Sequence, residues 1–412
     1  MDYTYLLWLA VILLSTKALG LLTEKVHQPQ VVGALLAGIV LGPSCFNVME
    51  GTDFIMQIAE IGVLLLMFVA GLDTDIQQLK RTGPAALFIA VLGVVMPLLL
   101  CGGAYMLFFH ERADFTGIMR ALYVGTVFAA TSVSITVETL TEMGKLNTQV
   151  GATILGAALI DDIVGIIMLS VIDSVSGSAR GGMGGVLVTL LFILLFFIFT
   201  LVVGLIMIRL FRRITRRHAH SRRLAVWALA FCFLMAWSAE ELFGVADITG
   251  AYFAGLILCN LTQGRKFIAK KMAVASYILF APVFFASVGL RTDLHLISGD
   301  ILLLTLILLL CALGSKIIGC GLAARLSGLG RRDSLSVSIG MMSRGEVGLM
   351  AAQKGMASGM ISASVFPAVI LVVVVSCLVT PICLKLSMAR PTPGTAVTEE
   401  AGAAGNSGPA PA

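Results

Sequence analysis

From Val32 the chain reads VGALLAGIVL, and 217 residues further on, from Thr249, it reads TGAYFAGLIL. Gly33, Ala37 and Gly38 return as Gly250, Ala254 and Gly255. A second pair follows in order. AGLDTDI from Ala70 returns as VGLRTDL from Val288, so Gly71, Leu72, Thr74 and Asp75 fall on Gly289, Leu290, Thr292 and Asp293 at an offset of 218. Small residues four apart let membrane helices approach closely, and one such match is common. Two in order at nearly one spacing mark an internal repeat.

The rest of the chain suits that setting. Of 412 residues 58% are hydrophobic and 12% charged, about half the charged share of a soluble domain. With a mean hydropathy of +1.00, this is an all-α polytopic membrane protein. Thirteen apolar segments are expected, at about 3–22, 30–41, 54–72, 83–109, 116–138, 147–172, 185–208, 224–242, 247–261, 272–290, 300–323, 334–356 and 361–386. No basic stretch precedes the first, so it reads as a helix and not as a cleaved signal. Placing the N-terminus outside puts 20 of the 28 Lys and Arg in inside loops or the inside C-terminus, as the positive-inside rule requires. The Arg-rich stretch 209–223 is then an inside topology anchor that meets anionic lipid, with no nucleic-acid role. Eight cysteines form no CxxC pair and five histidines form no ligand cluster, which argues against a metal enzyme. After about Arg390 the chain turns small, polar and Pro/Gly-rich, so 389–412 reads as a disordered inside tail.

The repeat maps the second segment onto the ninth and the third onto the tenth. A shift of seven crossings is odd, so the halves have opposite orientation: repeat 1 over about 3–172, a linking helix at 185–208, and repeat 2 over about 224–386. Inverted repeats are typical of transporters, whose substrate site lies at the repeat interface near midplane. The fifth segment carries Thr131, Ser132 and Ser134 in its middle, and the same offset sets Thr131 against Gly348 in the twelfth, which carries Gly345, Arg344 and Glu346. Both therefore read as interrupted helices, whose broken ends present free carbonyls, amides and opposed dipoles.

In the sixth segment, LGAALIDDIVGIIML (155–169), Asp161 and Asp162 lie near midplane. One charge there costs roughly 2.5–3.5 kcal/mol on insertion scales, so two side by side mark an ion or proton site. Neighbours on a helix point about 100° apart, which gives the two acids different partners. Asp161 is matched with Lys316, the lysine deep in LLCALGSKIIGCGL (309–322), and Asp162 with the ion. Oxygen ligands suit Na⁺, and Thr131 and Ser132 can add hydroxyl or carbonyl oxygens. A proton and a hard monovalent cation would then compete for Asp162. The other charges have plainer readings: Arg344 and Glu346 neutralise each other, Glu60 hydrogen-bonds a neighbouring helix, Glu138 is solvated, and Asp73, Asp75 and Asp293 cap loop edges.

These residues resemble the monovalent cation:proton antiporter-2 family, in particular its NapA-like bacterial Na⁺/H⁺ antiporters, over about residues 5–388. The resemblance rests on ATSVSI (from Ala130), LIDDIVG (159–165), FFASVGLRTDL (284–294), GSKIIGCG (314–321) and SRGEVGL (343–349). It implies an NhaA-like fold with a mobile core of helices 83–172 and 300–386 and a dimer scaffold of helices 3–72 and 224–290, joined by 185–208. It also implies a homodimer in the bacterial inner membrane, an elevator movement, and electrogenic exchange of Na⁺, or Li⁺, for H⁺. No cofactor is implied; the ions are cargo. Asp162 matches the family's ion-binding Asp, Asp161 the one paired with the membrane Lys, and Thr131 and Ser132 the first crossover.

Other readings stay open. K⁺/H⁺ exchange or a Kef-type K⁺ efflux protein is one, although a Gln-Asp pair and an appended nucleotide-binding domain are absent from the sequence. An organic-anion/Na⁺ symporter of the same fold is another, and the Asp-Asp-Lys trio speaks against it. Selectivity among Na⁺, Li⁺ and K⁺ depends on cavity size and carbonyl placement, which sequence does not give.

Overall fold

The computed structural model describes residues 3–26, 28–49, 51–110, 114–175, 182–218, 222–261, 264–291, 299–362 and 365–388. The expected tail, 389–412, and Asp293 lie outside them. The described residues are helical, without strands, in sixteen α-helices and two π-helical turns. In order these are α1 (Thr4–Lys25), α2 (Gln30–Leu41), α3 (Asp53–Asp73), α4 (Ile76–Phe109), α5 (Phe115–Ala129), α6 (Val133–Glu142), α7 (Gln149–Val175) and α8 (Gly182–His218). Then come α9 (Arg222–Trp237), a π-turn (Ser238–Leu242), α10 (Asp247–Leu258), α11 (Arg265–Ala275), a π-turn (Ser276–Phe280), α12 (Ala281–Leu290), α13 (Gly299–Leu326), α14 (Arg331–Gly340), α15 (Glu346–Ala357) and α16 (Phe366–Met388). Among the described residues, ten helices, α5–α6 and α11–α12 each counted as one, are long and apolar enough to cross a membrane; α2 and α10 are shorter apolar helices. This is a multi-pass membrane protein.

Apolar length located the elements but not all their ends. α4 starts at Ile76, seven residues before the expected edge, because Asp75 accepts the Gln77 and Gln78 amides and caps a first turn that is polar. Asp73 is no cap: it ends α3 and faces Arg265 at 3.7 Å. Glu60, expected to bond a neighbouring helix, is exposed, because its side of α3 points out of the bundle.

The helices pack in two groups. α4 packs against α5, α7 and α13, and α13 against α14 and α16. Separately, α1 packs on α2, α2 on α12, and α3 on α10 and α12. α8 touches α7 of the first group and α9 and α10 of the second.

The repeated glycines account for the second group. A Cβ on Gly38 of α2 would run into the Ala286 carbonyl of α12, and one on Gly289 of α12 would strike the α2 backbone at Leu35 and Ile39. The other pair does the same. A Cβ on Gly71 of α3 would meet the Tyr252 carbonyl of α10, and one on Gly255 of α10 the Phe68 carbonyl of α3. Each repeat's second helix thus packs on the other repeat's third helix, glycine against backbone. The first helices follow suit: Gly33 lies on α1 at Leu19 and Gly20, and Gly250 on α9 at Met235. The two halves thus exchange partners in these contacts.

Candidate functional site

Two helices are interrupted, as their sequences required. α5 ends at Ala129, Ala130 leaves the helical conformation, Ser132 is extended, and α6 restarts at Val133. Hydroxyl residues compete with the helix for backbone hydrogen bonds, and Thr131 and Ser132 stand at the break. In the second helix α14 ends at Gly340 and α15 restarts at Glu346, with 342–345 non-helical and Gly345 extended.

The two breaks cross. The Ser132 amide donates to the Ser343 carbonyl at 2.8 Å, and the Ser343 hydroxyl donates to the Ser132 carbonyl at 2.9 Å. A Cβ on Gly345 would lie 2.7 Å from the Ser132 side chain, so glycine permits the approach. The partner of Thr131 is therefore near Ser343 and not at Gly348, as the constant offset suggested. Fewer residues separate Asp293 from the second break than separate Asp75 from the first, and the offset drifts. Thr131 donates to the Met341 carbonyl at 3.4 Å, and Thr136 to that of Gly340 at 2.7 Å. Ser132 and Ser134 share a hydrogen bond at 3.3 Å. These hydroxyls bind the crossovers to each other and satisfy carbonyls that the breaks leave open.

Arg344 has partners that the sequence does not name. Its guanidinium, 1% exposed, donates through Nη1 to the Ala129 carbonyl at 3.2 Å and, more weakly, to that of Ala130 at 3.5 Å. Nη2 donates to the Ala312 carbonyl of α13 at 2.7 Å. A cation thus sits at the negative end of α5, where the dipole and the orphan carbonyls favour it. The expected neutralisation by Glu346 involves a side chain outside the described residues. One signal could have found this role: an arginine in a gap between two half-helices faces carbonyls from both.

α7 carries Asp161 and Asp162, which are 1% and 2% exposed. It packs against α4, against α5 and α6 of the first interrupted helix, and against α14 of the second. Lys316 on α13 is wholly buried, and its Nζ lies 2.9 Å from Asp161 Oδ1. The matching of Asp161 with Lys316 across 155 residues is therefore met in the structure. Gly93 of α4 leaves room for the pair: a Cβ there would stand 3.3 Å from Lys316 Nζ and 2.8 Å from Cys320 Sγ. Burial excludes water, so the pair is only weakly screened.

Glu138 corrects another expectation. It is 4% exposed, with Tyr277 beside it. It was read as solvated because it lies near the end of an apolar segment. α6, however, is packed between α3, α16 and α7, so position along the segment does not report exposure.

A many-spanning helical bundle with two crossing interrupted helices, and a buried carboxylate pair and lysine beside them, defines a class: a membrane transporter. The chain belongs to the family described as sodium/hydrogen exchanger, transmembrane, whose model matches residues 10–389. It is 34% identical over 388 residues to the Na(+)/H(+)-K(+) antiporter GerN of Bacillus cereus, covering 93% of this chain and 96% of that one. To a Na(+)/H(+) antiporter of Enterococcus hirae it is 33% identical over 381 residues, covering 92% and 96%. Its fold is that of the sodium proton antiporter MjNhaP1 from Methanocaldococcus jannaschii, with a TM-score of 0.72 at 18% identity over 94% and 97% of the chains.

Proposed function

We propose that this protein exchanges a monovalent cation, Na⁺ first, for H⁺, with both cargoes competing at Asp162. The observation that carries this reading is the buried Asp161–Lys316 pair with the equally buried Asp162 beside it, on a helix that packs against both interrupted helices. Loss of water favours a neutral carboxyl, whereas a bound cation favours the carboxylate, so the two cargoes exclude each other. Exposing such a site to each side in turn gives antiport. Thr131 and Ser132 supply oxygens to the cation, and Asp161 with Lys316 provides the second titratable carrier that electrogenic exchange needs. Two relatives whose names specify Na⁺/H⁺ antiport support the substrate class.

In this reading α4–α7 and α13–α16 are the moving core, α1–α3 and α9–α12 the scaffold and homodimer surface, and α8 the link. Packing is denser within each group than between them, where α2 and α3 meet α6 and α16, and this supports an elevator movement. Counting each interrupted helix once gives thirteen crossings, with the N-terminus outside and the C-terminus inside a bacterial inner membrane. The second reading is K⁺ exchange, favoured by the K⁺ in the name of the Bacillus relative.

The test is purified protein in proteoliposomes carrying a pH gradient, with Na⁺, Li⁺ and K⁺ titrated separately and with an imposed potential. Dissipation by Na⁺ that responds to potential is expected, and Asp162→Asn should abolish it. Full exchange in Asp162→Asn would refute the site, and no response to any of the three cations would refute the antiport.

A further inference from the structure

α6 meets the scaffold through two carboxylates four residues apart, hence on one face of the helix. Glu138 lies beside Tyr277 of the second π-turn. Glu142, one turn further along and exposed, accepts the Gln30 amide through Oε2 at 2.9 Å and the Val31 amide through Oε1 at 3.3 Å. Those two amides open α2, whose N-cap, Pro29, supplies no side-chain hydrogen bond. A helix N-terminus carries unsatisfied amides and a partial positive charge. α2 therefore receives its anion from the opposite group of helices.

The repeat provides an internal comparison. α10 is the counterpart of α2, and its N-cap, Ala246, is equally bare. There the anions belong to the scaffold itself: Asp247 accepts the Ile248 amide at 2.7 Å, and Glu240 of the preceding π-turn lies beside it. α15, the counterpart of α6, packs against α5 and α16 and has no carboxylate after Glu346. Among the described residues the carboxylate bridge is thus built into one repeat only, beside a cleft of about 460 Å³ lined by Glu24, Gln28, Met143 and Lys385 among others.

We propose that Glu142 is a positioning residue for transport: a one-sided latch that fastens the core to the scaffold by capping α2, and that must let go when the core moves. This rests on the alternating-access reading above. Because the contact is exposed and worth what a surface carboxylate gives at a helix N-terminus, its loss shifts the balance between the two core positions by about two- to fivefold. The latch sets how often each side opens and leaves the chemistry at Asp162 alone.

The experiment compares wild type, Glu142→Ala, Pro29→Ser and the double variant in nanodiscs and proteoliposomes. Pro29→Ser gives α2 its own cap, so the double variant separates fraying of α2 from release of the core. One readout is the yield of a short bis-thiol cross-link between cysteines placed at Gln28 and Met143, in a background with Cys45→Ser. The others are amide hydrogen exchange over residues 28–34 and the half-saturation and maximal rate of Na⁺/H⁺ exchange. Glu142→Ala should speed exchange at Gln30 and Val31, lower the cross-link yield, and move half-saturation and rate by two- to fivefold. In the double variant the amides should be protected again while yield and kinetics stay altered. If restoring the cap also restores yield and kinetics, or if neither moves in Glu142→Ala, Glu142 is only a cap and the proposal falls. A wild type that transports no cation sinks the functional reading instead, and the cross-link and amide data distinguish the two failures.

Discussion

Removing Lys316 tests the buried pair most directly. Both side chains are fully buried and 2.9 Å apart, so no solvent discount applies. At an effective dielectric constant of about 20, the attraction at that separation is about 6 kcal/mol. It is opposed by a desolvation cost of several kcal/mol per ion, so the net value of the pair is small. The two kinds of substitution should therefore behave differently. Lys316→Ala leaves Asp161 buried against a void and should cost about 3–5 kcal/mol. Replacing both partners, as in Asp161→Leu with Lys316→Met, removes both charges and should recover most of that loss, or exceed wild type by about 1–4 kcal/mol. The assay is thermal unfolding in detergent, followed by the fluorescence of the three tryptophans. If Lys316→Ala melts with wild type, or if the double variant is no more stable than the single, the pair is not the buried contact described. The double variant should also lose dependence on membrane potential, since the second carrier is gone.

Competition at Asp162 sets a pH dependence. As pH falls, protonated carboxyl displaces cation, so half-saturation for Na⁺ should rise by up to about tenfold per pH unit, with maximal rate changing less; a half-saturation independent of pH would exclude a shared site. Gly38→Val and Gly255→Val should each cost about 1–3 kcal/mol, because their Cβ atoms meet backbone carbonyls of the partner helix. Gly83→Ala, with open space around it in α4, should instead stabilise by about 0.4–1 kcal/mol, and melting curves of the three variants check the contrast. Arg344→Gln should leave at least one buried carbonyl without a donor, at about 1–3 kcal/mol each, and should be read as faster amide exchange around Ala130.

Much of this was legible in the chain. Burying backbone in lipid requires helices, so long apolar runs located the crossings, and the cost of charge in that medium singled out Asp161, Asp162 and Lys316. The glycine matches at Gly38–Gly255 and Gly71–Gly289 marked the repeat, because close backbone approach tolerates little else. The failures share one cause. Glu138 reads as solvated and Glu60 as bonded when each is judged by its position along a segment, whereas exposure follows from what packs beside it.

What the sequence by itself determined is the periodicity and the price of burial: which stretches enter the membrane, where they break, and which charges need a partner there. Where that partner is backbone, only the tertiary structure decided which. The carbonyls of Ala129, Ala130 and Ala312 that hold Arg344, and the α2 amides that hold Glu142, come from elements far apart in sequence. Backbone donors and acceptors are the same at every residue. Nothing in the letters distinguishes the few that helix breaks and helix ends leave open, and only folding brings a charged side chain to them.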